Sequence, residues 1–125
     1  MKNKYQEWTT LMMESWRKLE GAKTADLFSE DVEYYETLDA PPCNSFTDVK
    51  KLWEVVPQNQ SNISYKFEIL STNDDCGVIN WKMNRTLKTE MSVLHQYIDG
   101  IFQIKLNDNG KCYYFKQWRF TKTEG

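Results

Sequence analysis

From residue 93 to residue 121 the chain carries two long runs of alternating character, 93–106 and 111–121, separated by Asn107-Asp108-Asn109-Gly110. Alternation with a period of two is what a strand needs when one face is solvated, and an Asn/Asp/Gly cluster between two such runs is a hairpin-type turn. Tyr65, Phe67 and Ile69 alternate with polar neighbours in the same way, as do Ile79, Trp81 and Met83, with Asn73-Asp74-Asp75 between them. The second half of the chain is therefore predicted to be an antiparallel meander.

Upstream the period changes. Tyr5, Trp8, Met12, Trp16 and Leu19 recur at steps of three and four, which places them on one stripe of an amphipathic helix predicted to end near Gly21. Thr24 is positioned to cap a short second helix through Phe28, after which Ser29-Glu30-Asp31 turns the chain into a strand over 32–37, ended by Pro41 and Pro42. Ser45 caps a third helix in which Phe46, Val49, Trp53 and Val56 share a face, and Pro57 stops it. Helices first and a meander after predict an α+β fold and exclude a doubly wound parallel sheet. A single domain spanning 1–125 is expected, since 40% hydrophobic and 14% aromatic residues can bury one substantial core.

Charge and composition remove several classes of function. With Lys+Arg 16 against Asp+Glu 18, the formal net charge is -2, which supplies no broad cationic field for a phosphate backbone. Nucleic acid and membrane are not expected partners. The first ten residues hold no apolar run of signal-peptide type and no uncharged stretch approaches a membrane span, so a cytoplasmic protein is expected. Cys43, Cys76 and Cys112 are odd in number and far apart, which fits reduced, partly buried thiols better than a disulfide framework or zinc site. His95 is the only histidine, so two-histidine metal sites are excluded within one chain. No Gly-rich phosphate loop or cluster of metal ligands occurs, and neither a cofactor nor a metal is expected.

The elements, taken in order, resemble the nuclear transport factor 2-like superfamily, and within it the SnoaL-like bacterial proteins. The residues that carry the resemblance are Trp16, Leu27-Phe28-Ser29-Glu30-Asp31, Trp53, Trp81, Asp99-Gly100-Ile101-Phe102 and Lys116-Gln117-Trp118. It implies a cone-shaped, curved antiparallel sheet packed against three N-terminal helices, a pocket inside the cone, and a homodimer formed through the outer sheet face. Because the superfamily includes isomerases, cyclases, hydrolases and dehydratases, the fold assigns no chemistry by itself.

The resemblance aligns Glu36 with the isomerases' general-base carboxylate, Trp16 near their oxyanion-binding tyrosine and Phe102 with their proton-donating aspartic acid. Both donors are thus missing as phenol and carboxyl, and ketosteroid isomerisation as such is not expected, because enolate stabilisation is usually the largest catalytic contribution. An epoxide-hydrolase Asp-Arg-Asp cluster has no counterpart either. Glu36 is read either as a solvated carboxylate before a loop or, if it points into an aromatic pocket, as a base whose pKa burial raises.

A pocket lined by Trp16, Phe28, Tyr34, Trp53, Phe102 and Trp118 suits an apolar or aromatic small molecule, with Glu36 or Gln117 as a polar contact at its rim. Three functions remain open. They are a dimeric small-molecule-binding domain, an isomerase, cyclase or dehydratase using Glu36 with Trp16, Tyr34 or Tyr35 as donors, and a protein-interaction domain whose cone is filled by its own side chains. His95 and Asp99, four apart on one strand, stand roughly 13 Å apart and do not touch without a bulge. Gly100 is a candidate for such a bend. Arg85 and Lys88 read as a solvated hairpin end.

Overall fold

The computed structural model describes residues 4–36, 41–73 and 75–124. Helix α1, Lys4–Arg17, buries Tyr5, Trp8, Met12 and Trp16 of the expected stripe together with Thr9, Met13 and Ser15, whereas Leu19, expected on that stripe, lies past the helix end and is exposed. It stops before Gly21 because Leu19 adopts φ 60° and the N–H groups of Leu19 and Glu20 bond back to the carbonyls of Trp16 and Ser15 at 2.9 and 2.8 Å. This is a Schellman closure with leucine in the place glycine usually takes.

Helix α2, Gly21–Ala25, starts and ends earlier in the chain than predicted. Thr24 does not cap it. Its hydroxyl instead lies 2.6 Å from that of Ser15, tying α2 to α1 inside the core. Phe28 is the first residue of strand β1, Phe28–Tyr35, where it is buried against Trp8, Tyr34 and Phe115. The segment 29–31, expected as a turn, is a register irregularity within β1, and the Ser29 hydroxyl donates to Asp31 Oδ1 at 2.7 Å there. The expected strand end at Thr37 lies outside the described residues.

Helix α3, Phe46–Val55, is capped as expected, with the Asp48 N–H donating to Ser45 Oγ at 3.2 Å. Val49 and Trp53 face inward, whereas Val56 belongs to a following 3-10 turn, Val56–Asn59. Strands β2 (Gln60–Thr72), β3 (Gly77–Lys88), β4 (Val93–Leu106) and β5 (Cys112–Glu124) form the predicted antiparallel meander. At its turns, the side-chain oxygens of Asn73 and Asn107 accept backbone N–H groups, and Gly110 adopts φ 77°.

One feature of the sheet departs from expectation. The strand order is β1-β5-β4-β3-β2, and β1 runs parallel to β5, so the sheet is mixed. Helix α3 and the 3-10 turn lie in the connection from β1 at one edge to β2 at the opposite edge, which is the long connection a non-consecutive sheet order demands. Helices cover the inner face, where Ile79, Trp81, Met83, Ile98, Phe102, Ile104 and Phe115 form the core. Gly100 is not a bulge. Pairing continues unbroken through it on both sides, and its missing Cβ makes room for the Trp81 indole, whose Nε1 and Cε2 lie 2.6 Å from where that carbon would be.

The cysteines are free, and burial pushes the Cys43 and Cys112 thiols up, away from the reactive thiolate. No described helix is long and apolar enough to cross a membrane.

Candidate functional site

The inner face has an aromatic floor. Ring centroids follow one another from Trp53 to Trp16 at 5.2 Å, Trp16 to Trp81 at 5.4 Å, Trp81 to Phe102 at 4.9 Å, and Phe102 to Phe115 at 4.9 Å. Tyr34 stacks on Phe115 at 4.6 Å and meets Phe28 edge-on at 5.3 Å. Trp16, Phe28, Tyr34, Trp53 and Phe102 thus lie in one cluster, yet its rings are packed on one another, Trp16 on Trp53 and Phe28 on Tyr34 directly and Phe102 through Trp81 and Phe115. Trp118 is not among them, because alternation along β5 puts it on the outer face, where the Lys116 ammonium sits 5.0 Å from its ring centre.

A polar cluster borders this floor. Tyr34 is held in place by a two-way backbone pairing with Cys43, at 2.8 Å in each direction, and its buried hydroxyl donates to Glu36 Oε2 at 2.5 Å. The Gln117 side-chain amide, also buried, donates to both the Glu36 carbonyl at 2.8 Å and Glu36 Oε1 at 3.0 Å. Arg119 Nη1 lies 3.7 Å from the same Oε1. The Glu36 carboxylate therefore turns inward, with 23% of its side chain exposed, and is held by hydrogen bonds from Tyr34 and Gln117 with Arg119 as a looser ion-pair partner.

The Tyr34 phenol is pushed well above its ordinary pKa by burial and then by the adjacent Glu36 charge, so it stays a proton donor. An inward carboxylate paired with a buried phenol can accept a proton or orient a ligand. Its Tyr34 proton is already committed, and so not free for a developing oxyanion without rearrangement.

Sequence reasoning missed two arginines and a tryptophan in this corner. Arg85, read as a solvated hairpin end, is half-buried, and its Nε donates to Gln96 Oε1 at 2.8 Å. Carrying the alternation of Ile79, Trp81 and Met83 one step further would have placed Arg85 on the core face. Arg119 follows Gln117 by the same rule. Trp81 and Trp53 are buried; the Trp81 indole N–H lacks a hydrogen-bond partner among the described residues, whereas the Trp53 indole N–H is aimed at the Tyr34 hydroxyl. Such an orphan costs roughly 1–3 kcal/mol in a dry site.

His95 and Asp99 are not brought together. His95 Nδ1 lies 3.4 Å from the Thr86 hydroxyl, while Asp99 Oδ1 accepts from Asn80 at 2.7 Å. Among the described residues, no three His, Cys, Asp or Glu side chains are arranged to hold a metal ion. The outer face carries a separate open groove of about 700 Å³, whose lining includes Lys66, Lys82, Tyr97, Asp99, Phe120 and Lys122.

Neither the family models nor the curated proteins match this sequence. Solved structures do. A protein from Shewanella putrefaciens described as a SnoaL-like polyketide cyclase superposes with a TM-score of 0.79 at 10% identity, over 94% of this chain and 80% of that one. A ketosteroid isomerase-like protein from Erwinia carotovora atroseptica gives 0.73 at 10% identity, over 94% of each chain. A computationally designed 17-OHP binder gives 0.78 at 8% identity, over 97% of this chain and all of that one. The chain thus has the nuclear transport factor 2-like α+β cone fold, similar to SnoaL-like and isomerase-like proteins.

Proposed function

We propose that this protein is a small-molecule-binding domain whose ligand meets Glu36, Gln117 and Arg119 at the edge of the aromatic floor. The observation that carries the reading is the Tyr34–Glu36–Gln117 network, which presents polar groups beside buried indoles on the inner face. Such a mixture of apolar wall and few fixed polar groups is the usual make-up of a ligand site. The designed 17-OHP binder is a similar scaffold that binds a small molecule.

A thermal-shift screen of small, partly apolar compounds tests the reading. A compound at ten times its Kd stabilises the native state by about 1.4 kcal/mol, or about 5 °C for a domain of this size. That shift should be lost in Gln117→Leu. A library that leaves the melting temperature unmoved would sink it.

The same reading includes a homodimer through the outer sheet face. Phe120 is 84% exposed there and Tyr97 47%, next to the open groove. Light scattering is expected to give twice the chain mass, and the monomer mass after Phe120→Asp; a monomeric native protein refutes this part.

The inward turn of the Glu36 carboxylate favours one second reading, an isomerase, cyclase or dehydratase with Glu36 as base, and with Tyr34 as donor once it releases Glu36. In that case Glu36→Gln abolishes turnover while affinity for a neutral substrate persists.

A further inference from the structure

Arg85 and Arg119 give the inner face more positive charge than it neutralises. Strand pairing sets Arg85 beside Gln96 and Arg119 beside Gly100, on the side of the sheet that carries Met83, Ile98 and Gln117. Arg85 is held by a neutral amide, and among the described residues no carboxylate forms an ion pair with it. With Nε engaged, its terminal amino groups are the donors left over. Among the described residues, Arg119 has only the 3.7 Å approach to Glu36, an acid already bonded to Tyr34 and Gln117. Two guanidiniums against one carboxylate leave a single positive charge in a partly buried corner.

Burial, and then the nearby Arg119 charge, push Arg85 down to about 10, with Glu36 acting in the opposite direction. Since arginine keeps its proton in proteins, this marks a charge short of a counter-anion. The orphan Trp81 indole N–H is an independent sign. Trp81 extends its Nε1 over Gly100, the residue paired with Arg119, and the Trp53 ring lies close enough to Tyr34 to bear on its hydroxyl, the donor to Glu36.

We propose that this corner is the head-group site for a small aromatic carboxylate, its anion held by Arg85 and Arg119 and its ring directed along the edge of the aromatic floor. A planar carboxylate matches the guanidinium fork, and one negative charge matches the single positive one. A dianion would leave excess negative charge beside Glu36. The inference rests on the binding reading above and names its ligand class.

Ligand-observed NMR on the purified protein tests it with matched pairs: benzoate and benzamide, 2-naphthoate and 2-naphthamide, biphenyl-4-carboxylate and its amide. The carboxylate of a pair should bind about tenfold or more tighter than the amide, as a charge-assisted contact warrants. Arg85→Gln and Arg119→Gln should each erase that preference. Should either fail to fold, Glu36→Gln decides, because removing the competing acid should tighten the carboxylate relative to its amide.

Amides binding as tightly as carboxylates would overturn the anion site and leave the binding reading standing. A preference that survives both arginine substitutions, or one that Glu36→Gln leaves unchanged or weakens, would also overturn it. Absence of binding by every pair, together with a thermal-shift screen that finds no ligand, refutes the binding reading and this inference with it.

Discussion

Replacing Gly100 with alanine tests the packing that seats Trp81. The added Cβ would lie 2.6 Å from both Cε2 and Nε1 of the indole and 2.8 Å from Cζ2, closer than carbon atoms in contact tolerate. The indole cannot simply retreat, because Trp81 is fully buried, with Phe102 stacked at 4.9 Å and Trp16 at 5.4 Å. Overpacking of a rigid core costs about 1–3 kcal/mol, and a clash with a locked aromatic belongs at the upper end, about 2–3 kcal/mol. At about 2.1 cal/mol/K per residue of unfolding entropy, this lowers the melting temperature by about 8–12 °C.

Differential scanning calorimetry measures the loss directly. The pair with Trp81→Phe attributes it, since a smaller ring should relieve the clash and give a coupling of about 1 kcal/mol or more. A drop under about 2 °C, or strict additivity of the two substitutions, would refute the claim that Gly100 is glycine because Trp81 lies on it.

Tyr34→Phe removes the buried donor to Glu36 and should cost about 1.5–3 kcal/mol in urea unfolding, the range for a hydrogen bond to a charged group; an effect below about 0.5 kcal/mol would contradict the network. Glu14 is held down to about 2 by Arg17 and then Tyr65, so its folded form favours ionisation. The stability that native protein has over Glu14→Gln should therefore be present above about pH 4.5 and vanish as pH falls toward about 2, followed by thermal melts across that window. Tyr65 is pushed up to about 12 by burial and then Glu14, so its absorbance titration should rise well beyond pH 10; a midpoint at the free-tyrosine value would contradict the Glu14 contact.

Much of the fold was legible in local pattern. The period of two over 65–69, 79–83 and 93–106 marked three of the strands and their pairing order, because a meander needs only hairpin turns between neighbours. The three-and-four spacing of Tyr5 through Trp16 marked α1 and its buried face. The inward residues of α3 and the cap at Ser45 could be read for the same reason: their determinants lie within a few residues of each other.

The remaining features are set by contacts distant in sequence. The parallel pairing of β1 with β5 joins Phe28 to Cys112 and Tyr34 to Phe115, and no local period encodes the direction of such a partner. The early start of β1 follows from Phe28 being packed by Trp8 and Phe115. The inward turn of Glu36 depends on Gln117, 81 residues away, as the position of the Trp81 indole depends on a glycine one strand over. Arg85 looked like a hairpin charge because its polarity outweighed its place in the alternation, and the fold puts it on the inner face beside Gln96. Residue type and spacing set which side chains can share a face; which of them meet is decided when chain segments far apart in sequence close over that face.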